Sequence, residues 1–196
     1  MLGRLPWIAA FVAVMLASAV HAAERTALLT PLNAQPAVLK IVARAALSAD
    51  AAVPGEDLLI AIGDWLSSRY GMPPLARTPR VALATSRQLA TRHFGDFTAA
   101  GRTGRADILA VYEDRESTIY LSAGLSVPDP AALSVIVHEM VHHMQNEAGM
   151  KYACAEEREQ QAFAAQADWL AMFGTDLATE FGIDPLTLLV RTKCFY

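Results

Sequence analysis

The sequence predicts an α+β fold, and three observations carry that prediction. Apolar residues recur at helical spacing toward both ends of the chain, β-branched and aromatic runs cluster between them, and two of those runs flank a short polar stretch as hairpin strands do. With 196 residues, 54% hydrophobic and 18% charged, the chain is no disordered tail, collagen-like protein or low-complexity protein.

The first stretch reads as an export signal. Arg4 supplies a positive start, Trp7 to Val20 an uncharged apolar run, and Val20-His21-Ala22 a small-residue cleavage pattern. The apolar run is shorter than the ~20 residues a spanning helix needs. Residues 1–22 are therefore expected to be a signal peptide and 23–196 a single exported domain, periplasmic or secreted, with no stable membrane insertion after cleavage. Without Arg4 the remainder carries 15 basic against 20 acidic residues, an acidic balance that excludes a nucleic-acid binder by charge. Cys154 and Cys194 are the only cysteines, and export makes them a disulfide expectation. Closing that loop of about 40 residues contributes about 3–4 kcal/mol in the chain-entropy model.

Beyond an irregular lead-in with Pro31 and Pro36, Val38, Leu39, Val42, Ala46 and Leu47 mark a helix ending near Ala49. Pro54 opens a second, with Leu58, Leu59, Ile62, Trp65 and Leu66 on one side and Gly71 as its stop. Val81 to Thr85 reads as a strand, Ser86 to Phe94 as a short helix closed by Gly95, and Gly101 and Gly104 as loop. Ile108–Tyr112 and Thr118–Leu121 form the hairpin, giving a small antiparallel or mixed sheet. Asp129-Pro130 caps a helix running to Asn146 with Gly149 as its stop, another helix covers about Ala155 to Phe173, and Gly182 to Pro185 restarts a last short helix that returns Cys194 toward Cys154.

Chemistry concentrates on the helix from Pro130, which contains His138-Glu139-Met140-Val141-His142, an HExxH motif. Histidines at i and i+4 lie about 40° apart on a helix and can close on one Zn2+, while Glu139, about 100° round, can reach a water held there. Leu133, Val137, Met140, Val141, Met144 and Ala148 form one apolar face, and His138, His142 and Gln145 lie together within about 60° at its edge. His143 points away from them. Zinc needs a third protein ligand, and the next helix offers Glu156, Glu157 and Glu159. Glu159 shares a stripe with Ala162, Phe163, Gln166, Trp169 and Leu170, where a carboxylate is costly unless a metal or another partner compensates it. Glu156 lies at the stripe's edge and is the alternative ligand, and Glu157 is on the wet side.

The segment Ile136-Val-His-Glu-Met-Val-His-His-Met144, followed by Glu-x-x-Ala-Phe from Glu159, resembles the gluzincin class of zinc metallopeptidases and a group of small exported bacterial HExxH proteins. The resemblance spans about residues 79 to 173. It implies a zincin-like domain with His138, His142 and Glu159 as zinc ligands and Glu139 as catalytic general base, acting on a peptide or protein substrate. Some gluzincins place an aspartate three or four residues after the ligand glutamate to orient a zinc histidine. Here Ala162 and Phe163 stand there, and Gln166 and Gln145 are the nearest substitutes by angle.

The expected chemistry is hydrolysis by zinc-activated water, with Glu139 taking its proton and passing it to the leaving amine. Tyr152, Tyr120, Arg158 and His143 are candidate oxyanion donors, and the strand Thr118–Leu121 could present an edge to an extended peptide. Two other readings stand beside this one: an exported zinc-binding interaction module without catalysis, and a membrane-anchored helical scaffold without metal. A fourth protein ligand, for example His143, Glu156 or Cys154, would favour the module.

Overall fold

A computed structural model describes residues 36–47, 53–95, 108–125, 127 and 129–195. The export-signal reading and the glycine loop at 101–104 lie outside the described residues.

Among the described residues the fold is α+β, with seven helices and a three-stranded mixed sheet. Helices α1 (Pro36–Leu47) and α2 (Glu56–Tyr70) pack on one another. Strand β1 (Arg80–Ala84) leads into α3 (Ser86–Phe94), where Thr85 and Gln88 form a reciprocal capping box and Gly95 closes the helix at φ 72°. That left-handed conformation favours glycine, as it does at Gly71 (φ 63°) after α2. Strands β2 (Ala110–Glu113) and β3 (Thr118–Ser122) form the antiparallel hairpin, and β1 joins β3 in parallel, giving the order β1-β3-β2. Thr118–Leu121 is therefore the central strand, paired on both sides. It has no free edge for a peptide, and that expectation is corrected: the strand of the hairpin with an edge free of described strands is β2.

Helix α4 (Pro130–Glu147) carries HExxH and starts as its sequence dictates: the Asp129 carboxylate accepts the Ala132 N–H, a cap contributing about 1 kcal/mol, and Pro130 occupies the first turn. Helix α5 (Ala155–Ala171) follows, then α6 (Leu177–Phe181) and α7 (Pro185–Thr192). Helix α4 packs against α5, β2 and α2, and Leu133, Ile136, Val137, Met140 and Val141 fill the main core together with Trp65 and Trp169. Trp169 also donates its indole N–H to Pro130 O at 3.0 Å, pinning the start of α4 to the end of α5. The two site-bearing helices are thus fixed at both levels, by apolar packing and by a buried hydrogen bond. Ala148, placed on this face by the sequence, is exposed beyond the helix end.

Cys154, the cap residue of α5, is bonded to Cys194 beyond α7. The disulfide points to an oxidising, extracytoplasmic compartment. No described helix is long and apolar enough to cross a membrane.

Candidate metal centre

His138 and His142 project from consecutive turns of α4 toward α5, and Glu159 meets them from the first turns of α5. His138 Nε2 lies 3.1 Å from Glu159 Oε2, His142 Nε2 lies 3.2 Å from Glu159 Oε1, and the two Nε2 atoms are 3.2 Å apart. Tetrahedral zinc with bonds of about 2.0–2.1 Å separates its ligand atoms by roughly 3.3–3.4 Å, so the three groups already stand at near-ligand spacing. The histidine side chains are 12% and 9% exposed and Glu159 is 32% exposed, which leaves the carboxylate side nearest to water.

Hydrogen bonding fixes the histidine tautomers. Gln166 Nε2 donates to Ser134 Oγ, whose own proton goes to Ala131 O, so Gln166 Oε1 must face His138 Nδ1 at 3.0 Å and accept its proton. Gln145 Nε2 donates to Arg158 O, so Gln145 Oε1 faces His142 Nδ1 at 3.1 Å. When neutral, both imidazoles then carry Nδ1–H and turn bare Nε2 lone pairs toward one another and toward a carboxylate. Three lone-pair donors converging in a mostly buried place repel unless a cation lies among them. This donor set fits a metal such as zinc, and Gln166 and Gln145 are the groups that face the two Nδ1 atoms. Phe163, at one of the positions where a gluzincin aspartate would stand, packs edge-on to the His138 ring with centroids 4.7 Å apart.

Glu139 is 7% exposed, and its Oε2 accepts the backbone N–H of Tyr112 in β2 at 2.8 Å. Burial pushes its carboxyl up to about 7, against the pull of His138 and the Tyr112 N–H. Burial alone would raise Glu159, whereas His138 and His142 in their imidazolium forms, with Nε2–H directed at it in place of a metal, would hold it well below the usual carboxylate range. His93, at the end of α3, feels Glu159 upward and Arg191 downward, while burial sets the net shift downward. The ends of α3 and α7 therefore lie within electrostatic reach of the cluster.

Glu156 and Glu157 are not in the cluster. Glu157 is half-buried where the sequence puts it in water, because its carboxylate accepts the Ala153 N–H at the start of α5. His143 points away from the ligands, as its helix angle requires, and is fully buried: Nε2 donates to Arg77 O at 2.8 Å and Nδ1 accepts from Tyr112 Oη at 3.0 Å. Among the oxyanion candidates, Arg158 is committed to Asp114, Gln145 and the His142 carbonyl, and Tyr120 to Glu116. Tyr152 keeps the freest hydroxyl, its partner being the weakly accepting Met150 sulfur at 3.4 Å. Sequence reasoning missed Tyr112, Ser134 and Asp114. A backbone N–H, a small hydroxyl and a hairpin carboxylate carry no spacing signal.

Fold and site together define an α+β protein with a candidate metal centre made by an HExxH helix and a following glutamate. The profile of a family described as a domain of unknown function, DUF6647, matches residues 51–195, and the chain belongs to that family. No curated protein and no solved structure matches it.

Proposed function

We propose that the protein is an exported, zinc-dependent metallopeptidase in which His138, His142 and Glu159 hold the metal and Glu139 is the catalytic general base. The observation that supports this most is the pair of bare Nε2 atoms beside the Glu159 carboxylate, with a second, buried carboxylate one residue along the same helix. Zinc, when bound, supplies Lewis-acid polarisation and makes water nucleophilic near neutral pH. Glu139 receives the water proton and returns it to the leaving amine, and the Tyr112 N–H on Oε2 holds the carboxylate in one orientation while leaving Oε1 for that transfer. Because the Tyr112 N–H points out of the hairpin toward Glu139, the adjoining edge of β2 runs beside the general base. An extended peptide lying along it would bring its carbonyl to the centre, which is why the substrate is read as a peptide or protein. Tyr152, whose hydroxyl is the least committed among the sequence-derived donors, is the candidate to steady the oxyanion.

A second reading is an exported zinc-binding interaction module of the cell envelope whose site is structural or vestigial, and a fourth protein ligand closing the metal would favour it. Among the described residues no further His, Cys, Asp or Glu joins the three: His143 is bonded elsewhere, Cys154 is in the disulfide, and Glu156 stands apart.

The test is metal analysis of the purified protein followed by a cleavage assay on an unfolded protein and a mixed peptide library, with Glu139→Gln alongside. The proposal expects about one zinc per chain in both proteins and hydrolysis by the parent alone. Zinc without any cleavage would move the protein to the second reading, and equal cleavage by both would remove Glu139 from the mechanism.

A further inference from the structure

Arg158 stands one residue before Glu159, and its groups act on the far histidine. Its main-chain carbonyl accepts Gln145 Nε2–H at 3.2 Å, while its guanidinium Nε–H points to Gln145 Oε1 at 3.4 Å. One residue thus labels both ends of the amide and gives it a single orientation, the one that makes His142 Nδ1 a donor and frees Nε2. Its Nη2 also donates to the His142 carbonyl at 3.1 Å. The guanidinium is anchored in turn by a two-pronged bond to Asp114, at 2.8 and 2.6 Å, in the β2–β3 turn. The Asp114 carbonyl is held by Asn146 of α4 at 3.1 Å. The hairpin that carries Tyr112, and through it Glu139, is therefore tied to both ligand-bearing helices.

We propose that the Arg158 side chain, held and neutralised by Asp114, is a positioning group that locks the Gln145 amide and the His142 carbonyl in place, reinforcing the tautomer its own main-chain carbonyl selects, and so governs metal retention at the centre. The inference rests on the metal reading above. Charge by itself argues the opposite: a guanidinium beside a cation site repels the cation, and its removal should tighten binding. Asp114 offsets that repulsion by pairing with the guanidinium. The sign of the mutational effect consequently separates positioning from plain electrostatics.

Zn2+ affinity is measured by competition with a chromophoric chelator for the parent, Arg158→Met, Arg158→Lys, Asp114→Asn and the Arg158→Met/Asp114→Asn pair. The Co2+ absorption spectrum reports the coordination geometry of each. Positioning predicts a loss of about tenfold or more in Arg158→Met and in Arg158→Lys, which keeps the charge without the fork. It also predicts a changed Co2+ spectrum and a double variant no worse than the weaker single one. Parent-like Zn2+ affinity in Arg158→Lys, or tighter binding in Arg158→Met, overturns the proposal. If Arg158→Met does not fold, Arg158→Lys decides alone, because electrostatics predicts no change there. The parent's own affinity tests the metal reading and the ratio of variant to parent tests this one, so the two fail separately.

Discussion

Replacing the three glutamates of α5 one at a time by alanine tests the ligand assignment most directly. Glu159 supplies the single carboxylate of the cluster, 3.1 and 3.2 Å from the two histidine nitrogens. Structural zinc sites with four ligands bind with about 10–16 kcal/mol, or roughly 2.5–4 kcal/mol per ligand, so Glu159→Ala should weaken Zn2+ binding on the order of a hundredfold. Sequence angles alone place Glu156 between the other two. The structure removes it from the cluster, so Glu156→Ala should bind within about twofold of the parent. Glu157→Ala loses a hydrogen bond to the Ala153 N–H, an effect of about 1 kcal/mol on stability that should leave affinity nearly unchanged. Titrating the purified variants with a zinc chelator reads all three. Retention of Zn2+ by Glu159→Ala together with its loss in Glu156→Ala would refute the assignment and require α5 to be rotated or to begin later.

Gln166→Leu removes the acceptor of His138 Nδ1–H without touching the metal, and Zn2+ affinity should fall about tenfold, measured by the same competition. Reduction of Cys154–Cys194, or Cys194→Ser, should lower stability to denaturant by about 3–4 kcal/mol and speed zinc loss, since Cys154 caps the helix that carries Glu159; unchanged zinc off-rates would uncouple the two. In the metal-free protein, Glu139 is raised from 4.5 to about 7, so it costs nothing at pH 4, where it is protonated folded and unfolded, and costs about 3 kcal/mol above pH 7. Glu139→Gln should therefore be more stable than the parent at pH 8 and equal to it at pH 4 in thermal melts of chelator-treated protein.

Much of the fold was legible because strong local signals agreed with one another. The cap at Asp129, the restart just before Pro185 and the stops at Gly71 and Gly95 stand where the chain's helices begin and end, while Thr85, read as the end of a strand, is the cap of α3. The phase of α1 was not legible. Its buried residues are Val38, Ile41 and Ala45, whereas Leu39 and Ala46 face outward. Lys40 and Arg44 mark one side of this helix as polar, but apolar residues cover the rest of its circumference, and the contact with α2 chooses which of them are buried. Helix α6 escaped because five residues are too few to show a period, although Asp176 caps it through the Thr179 N–H. The central place of β3 depends on its parallel pairing with β1 across more than thirty residues, which no local pattern encodes.

The site divides along the same line. His138, Glu139 and His142 lie on one helix, so 3.6-residue geometry relates them, and Glu159 was separable from its neighbours because burial on α5 follows that same period. What prepares these residues as a candidate metal centre comes from elsewhere: Ser134 one turn back, Gln166 two turns beyond Glu159, Arg158 on the next helix and Asp114 in the hairpin. Their work is to choose a proton's position on each imidazole, which depends on amide orientation and not on residue spacing. Neutral amides also suit the charge balance here. With Glu159 ionised and Glu139 poised near neutrality beside it, aspartates behind the histidines would add further negative charge to a buried site, whereas glutamines fix the same tautomers and add none. The aspartate missing at Ala162 and Phe163 is thus consistent with a complete centre, and Phe163 uses its position to pack the ring that Gln166 orients.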